Sequence, residues 1–186
     1  MSDLQPANAF YGLHPAGEGG GVRVRMLEPD AILTILARSG MMNALIDKSH
    51  SELGLELADE PKRAIAGETA ALGIGPGRWL FITNVASKVT TAFNGLASIS
   101  NHTDGYALFG IAGPKARNTL AKGIPVDLHP AIFGENSVAV TVVSHIGALV
   151  WKSTADEFVV AVFRSYAGSF WDWLAESAEE FGLEIC

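Results

Sequence analysis

The chain has one cysteine among its 186 residues, and it is the last residue, Cys186. No disulfide can close within the chain, and a reducing compartment, the cytoplasm, is the expected home. Positive charge is also scarce: 13 Lys and Arg stand against 20 Asp and Glu, a formal net charge of -7. With a pI near 5.1, the chain lacks the attraction that phosphate backbones and anionic lipids exert, so neither nucleic acid nor membrane is an expected partner. Long apolar runs are missing. The longest uncharged stretch, 136–151, is broken by Ser137, Thr141, Ser144 and His145 and falls short of the roughly 20 residues a membrane span needs. MSDLQPANAFYGLHPAGEGGG at the N-terminus has no basic segment leading into an apolar run, so no secretory signal is expected.

Reactive motifs are as sparse. His14, His50, His102, His129 and His145 stand in no metal-binding spacing, and there is no His-Glu-x-x-His or paired-cysteine pattern. GIGPG at 73–77 has the letters of a phosphate loop, but RWLFIT after it continues as a strand where such a loop needs a helix. Ser144-His145 lacks the glycines of a nucleophile elbow. His102 and Asp104 read as a strand end entering a turn, and Lys115, Arg117 and Lys122 as a solvated helix face.

Apolar residues, in contrast, are plentiful. Hydrophobic residues make up 48% of the chain and charged ones 18%, and the mean hydropathy is +0.24. Part of that surplus is expected to lie against another subunit, because permanent interfaces resemble a core cut in half. The length suits one domain, residues 22–186, after a flexible tail at 1–21 that ends in Gly19-Gly20-Gly21. Its rhythm suggests two similar halves, about 22–97 and 98–186.

VRVRML at 22–27 alternates as a strand, and AILTILA at 31–37 is a strand or a short helix. A helix over 41–53 stops at Gly54, and 54–67 is a loop. Strands over 69–74 and 78–83 join through Gly75-Pro76-Gly77, and a helix follows over 84–97. The spacing then predicts a strand pair, 98–102 with 106–111, and a helix from Pro114 that stops at Gly123. Strands over 137–144, 147–153 and 157–163 precede a last helix over 166–181, striped with Tyr166, Phe170, Trp173, Leu174 and Phe181 and flanked by Trp171. The class is α+β, mostly antiparallel sheet with helices packed on one face.

One stretch raises the question of chemistry. GIPVDLHP at 123–130 places Asp127 and His129 on one side of an extended segment, ahead of Pro130. Two metal ligands short of a third, or a buried, hydrogen-bonded turn, are the readings the letters allow.

GPGRWLF at 75–81, GYALFGIAGPKARNTLAKGIPVDLHPAIF at 105–133 and FRSYAGSFWDWLAESAEEFG at 163–182 together resemble the gamma subunit of heterotetrameric sarcosine oxidase. Arg78 departs from the family pattern, where an acidic or amide residue more often precedes the Trp. More distantly, the region is similar to the folate-binding aminomethyltransferase of the glycine cleavage system, which carries a catalytic aspartate where this chain has His145-Ile146-Gly147-Ala148-Leu149. The resemblance implies an aminomethyltransferase-like fold with two ferredoxin-like halves. It implies a complex that oxidises sarcosine to glycine, forming hydrogen peroxide and either formaldehyde or methylene-tetrahydrofolate. FAD, FMN, NAD and tetrahydrofolate would sit on partner subunits and zinc on delta, so this chain would bind no cofactor or metal and supply no catalytic residue. It would pack on alpha, in a complex that also contains beta and delta. Asp127, His129, Pro130, Trp79 and Trp171 then become residues of a structural turn or of a partner interface. The readings set against this are a stand-alone folate-binding protein and a homodimeric binding module.

Overall fold

A computed structural model describes residue 14 and residues 18–186. Most of the expected tail, 1–13 and 15–17, lies outside the described residues. Gly21 is tied down: its N–H donates to the Phe181 carbonyl at 3.1 Å and its own carbonyl accepts from Lys115 N–H at 3.0 Å.

Among the described residues eleven strands form two sheets. β1 (Val22–Leu27), β7 (Tyr106–Ala112), β8 (Val138–Val143), β9 (Ile146–Thr154), β10 (Glu157–Phe163) and β11 (Leu183–Ile185) make one, in the order β11-β1-β7-β10-β9-β8. β2 (Ala31–Ala37), β3 (Arg63–Ala66), β4 (Thr69–Gly75), β5 (Arg78–Thr83) and β6 (Ala97–Asn101) make the other, in the order β3-β4-β5-β2-β6. β1 and β11 are parallel, and the remaining ladders are antiparallel.

The two sheets face each other, with helices on their outer faces, and the strand sequences show why. Strands buried on both sides read as continuous apolar runs rather than as alternation. In RWLFIT, Trp79 and Phe81 pack under α1 (Met42–Lys48) and α2 (Ala86–Ala92). Leu80 and Ile82 point the other way, into the space between the sheets. In β10, Phe158, Val160 and Val162 pack under α3 (Ala116–Leu120) and α4 (Ala167–Ala178), while Val159 and Ala161 meet the opposite sheet. Three apolar layers result, outer, middle and outer, where a one-faced sheet would have a single layer.

Several expectations change. The division at 97/98 does not follow the sheets, because β1 comes from the first half and sits between β7 and β11 of the second. Residues 98–102 and 106–111 are not a pair: β6 joins β2, whereas β7 joins β1 and β10. The turn between them, Thr103–Gly105, is a crossing from one sheet to the other. Thr103 Oγ1 accepts from Ile32 N–H at 3.1 Å and His102 N–H donates to the Ile32 carbonyl at 2.8 Å, which stitches the crossing to β2. Residues 54–67, expected as loop, contain β3, four residues too short for a pattern to show. The helices are shorter than the apolar spacing suggested: α2 ends at Ala92 and α3 spans five residues. The helix over 41–53 continues past α1 as a π-turn, Ser49–Leu53, before Gly54 at φ 69°.

Candidate functional site

Two of the three segments that carry the resemblance, 105–133 and 163–182, meet in the helical layer on the six-stranded sheet, whereas 75–81 lies on the five-stranded sheet. Gly123 lies beneath the indole of Trp173, and a Cβ there would stand 2.4 Å from a ring carbon. Its carbonyl accepts from Ser144 N–H at 2.8 Å. Gly113, at φ 108°, lies against the Gly21 carbonyl, where a Cβ would come within 2.6 Å. Lys122 Nζ donates to the Ser177 carbonyl at 2.6 Å, pairs with Glu180 and lies 4.9 Å from the Phe181 ring centre, with Lys115 at 5.5 Å. Lys115 and Lys122, expected to be simply solvated, thus cover the Phe181 ring.

Asp127 closes an Asx turn: its Oδ1 accepts from His129 N–H at 2.8 Å. His129 Nδ1 in turn accepts from Ala131 N–H at 3.3 Å, and its carbonyl takes the N–H groups of Ile132 and Phe133. The turn is hydrogen-bonded, but Asp127, His129 and Pro130 are exposed, so it is not the buried one. What it buries is Phe133, stacked at 6.3 Å on Phe158. The tryptophans are corrected too, since Trp79 and Trp171 are 1% and 4% exposed and face this chain's own core. Trp79 Nε1–H donates to the Ala58 carbonyl at 3.0 Å.

Among the described residues no three His, Cys, Asp or Glu side chains come together as metal ligands. His50 pairs with Glu56 at 2.6 Å, His102 meets the Tyr106 ring edge-on, and His145 is exposed. No helix of the described residues is long and apolar enough to cross a membrane. At the β4–β5 turn, Gly77 N–H donates to Asp59 Oδ1 at 2.7 Å, so the chain's own carboxylate takes the donor a phosphate would need.

Sequence reasoning missed two features. One is an ion pair across β7. Arg25 on β1 meets Glu157 on β10 at 2.6 and 3.0 Å, and Ser153 Oγ donates to the same carboxylate at 2.6 Å. Gly110 lies between them on β7, where a Cβ would stand 2.8 Å from the Glu157 carboxylate. Burial pushes the Glu157 carboxyl up, but hydrogen bonds from Arg25 and Ser153 and the charges of Arg25 and Arg63 outweigh it, holding the pKa below 4.5. A carboxyl depressed on folding contributes stability present above its unfolded pKa and lost as pH falls through the folded one. Glu157→Gln is thus expected to lower the urea midpoint at pH 7 and to converge on the wild type as the pH falls through the folded-state titration of Glu157. The gap corresponds to about 1 kcal/mol or less, since Arg25 is half exposed and solvent screens it. A gap that persists unchanged to the acid end would refute the carboxylate's role.

The other is a cleft of about 260 Å³ between the sheets, lined in part by Arg78, Leu80, Tyr106, Val140, Leu149 and Phe163. Tyr106 stacks on Phe163 at 5.1 Å. Burial pushes the Tyr106 phenol up, with Arg78 pulling the other way, so it stays protonated at neutral pH. Among the described residues no carboxylate and no histidine lines this cleft. It can hold apolar groups and one anion, and offers no pair of groups to move a proton.

Two facing sheets with helices outside make an α+β fold. The glycine cleavage aminomethyltransferase T of Bartonella henselae shares it, with a TM-score of 0.61, 10% identity and coverage of 90% of this chain and 48% of that one. A heterotetrameric sarcosine oxidase chain from Corynebacterium sp. U-96 superposes with a TM-score of 0.77 at 24% identity, covering 89% of this chain and 88% of that one. The family described as "Sarcosine oxidase, gamma subunit family" matches residues 39–180. The chain belongs to that family. Gamma subunits from Corynebacterium sp. strain P-1 and an Arthrobacter species are 26% and 27% identical over 62% and 61% of this chain, and the matches span 60% and 58% of those relatives.

Proposed function

We propose that the chain is an accessory, non-catalytic subunit of a sarcosine-oxidising complex, a shaped spacer that packs on a large alpha subunit. Family membership over 39–180 carries this reading. The chemistry between the sheets adds support: Leu72, Leu80, Leu108 and Trp151 pack there, and the residues that line the cleft beside them include no carboxylate or histidine to move a proton. In this reading FAD, FMN, NAD and tetrahydrofolate belong to partner subunits, beta and delta complete the assembly, and the site of action is the cytoplasm.

Co-expression with the alpha subunit is expected to give co-elution on size exclusion, and separate elution would overturn the proposal. Within the complex, Asp127→Ala is expected to cost about 1 kcal/mol of this chain's stability and to leave sarcosine turnover unchanged. Loss of turnover with assembly intact would make Asp127 a reacting group. The stand-alone folate reading is tested by titrating the isolated chain with tetrahydrofolate: tight binding would favour it, and none is expected.

A further inference from the structure

Four strands end the two sheets, and three of them are guarded. β3 is four residues long and carries Arg63, β11 is three residues long and carries Glu184, and β6 is the polar run ASISN. β8 is different. VAVTVV has no charge, proline or glycine, and edge strands of that kind template pairing with another chain.

Among the described residues β8 pairs along its length only with β9. On its other side Val138 N–H donates to the Pro61 carbonyl at 3.0 Å, beside an isolated bridge between Lys62 and Ser137. Backbone groups alternate in direction along a strand, so those of Val140 and Val142 face the same outer side as that of Val138. The chain at Asp59–Pro61 turns away there and leaves a groove of about 340 Å³ against Gly73–Pro76 and Val140. Val140 and Val142 are 65% and 40% exposed. Val140 also borders the cleft between the sheets, whose cation, Arg78, meets no carboxylate within it.

We infer that the open edge of β8 receives an extended segment of the large partner subunit as an added strand, apolar over the cleft and acidic where it reaches Arg78. The inference rests on the accessory-subunit reading and deepens it. Main-chain hydrogen bonds to Val140 and Val142 give such a segment its register, and alternate side chains enter the cleft. A second copy of this chain fits less well: its β8, VAVTVV, carries no carboxylate to set against Arg78.

Hydrogen exchange of the assembled wild-type complex against the isolated chain tests this. The amides of Val140 and Val142 are expected to slow at least tenfold in the complex. Val142→Pro removes an outward N–H, leaves the bonds to β9 in place and is expected to weaken association at least tenfold. Equal exchange in the two states overturns the inference while leaving the complex, and so the subunit reading, intact. Protection that grows with the concentration of the isolated chain overturns it in favour of self-pairing. A wild-type chain that never associates with the partner removes both the inference and the reading beneath it.

Discussion

Trp79→Ala is expected to lower the unfolding free energy by about 3–5 kcal/mol, the range for deleting a large buried aromatic side chain, measured by urea titration of the isolated chain. The indole is 1% exposed and sits among Leu45, Phe81 and Phe93 beneath the helices on the five-stranded sheet. Its Nε1–H reaches back to Ala58 at 3.0 Å and holds the segment between the π-turn and β3 against the sheet. Domains of this size are stable by about 5–15 kcal/mol, so the loss takes a large share of the whole. Trp79→Phe separates packing from the hydrogen bond. It keeps most of the apolar bulk, and Ala58 is exposed, so its carbonyl regains water. A cost of about 1 kcal/mol is expected. Equal losses for the two variants would mean that the hydrogen bond, not the ring, holds this layer.

Gly123→Ala is the second large effect, expected to cost about 2–3 kcal/mol through overpacking. The new methyl would meet the Trp173 ring at 2.4 Å and the Ser144 amide nitrogen at 3.1 Å. Trp173 belongs to a side chain that a second substitution can remove, which makes the cause testable. In the double variant with Trp173→Ala the clash with the ring is gone, and the combined loss should fall short of the sum of the single losses by about 1–2 kcal/mol. Strict additivity would show that the two residues do not touch and would sever two of the three segments that mark the family.

Those segments explain how much the letters revealed. KGIPVDLHP and RSYAGSFWDWL are distinctive because a glycine must lie under an indole and an aspartate must close a turn, and such local constraints leave fixed residue types at fixed places. β7, β9 and β10, largely buried on both faces, showed as apolar runs because both of their faces need apolar side chains. Other features had no local signature. That Ala97–Asn101 and Tyr106–Ala112 part into different sheets depends on Thr103 meeting Ile32, 71 residues away. That Gly110 makes room for Arg25 and Glu157 depends on three strands lying side by side. Arg78 was visible only as a departure from a pattern, and Val140 only as one valine among several.

The sequence by itself determined the α+β class, most strand positions, the turn chemistry at Gly75–Gly77 and Asp127, and the family. These rest on neighbours within a few residues or on composition. Tertiary structure alone decided that β1 belongs with the second half's sheet, that Trp79 and Trp171 face inward, and that β8 is left with an open apolar edge beside a lone arginine. Each of those depends on which distant segment covers which face. Burial and strand pairing across the chain settle that, and no single stretch of sequence encodes it.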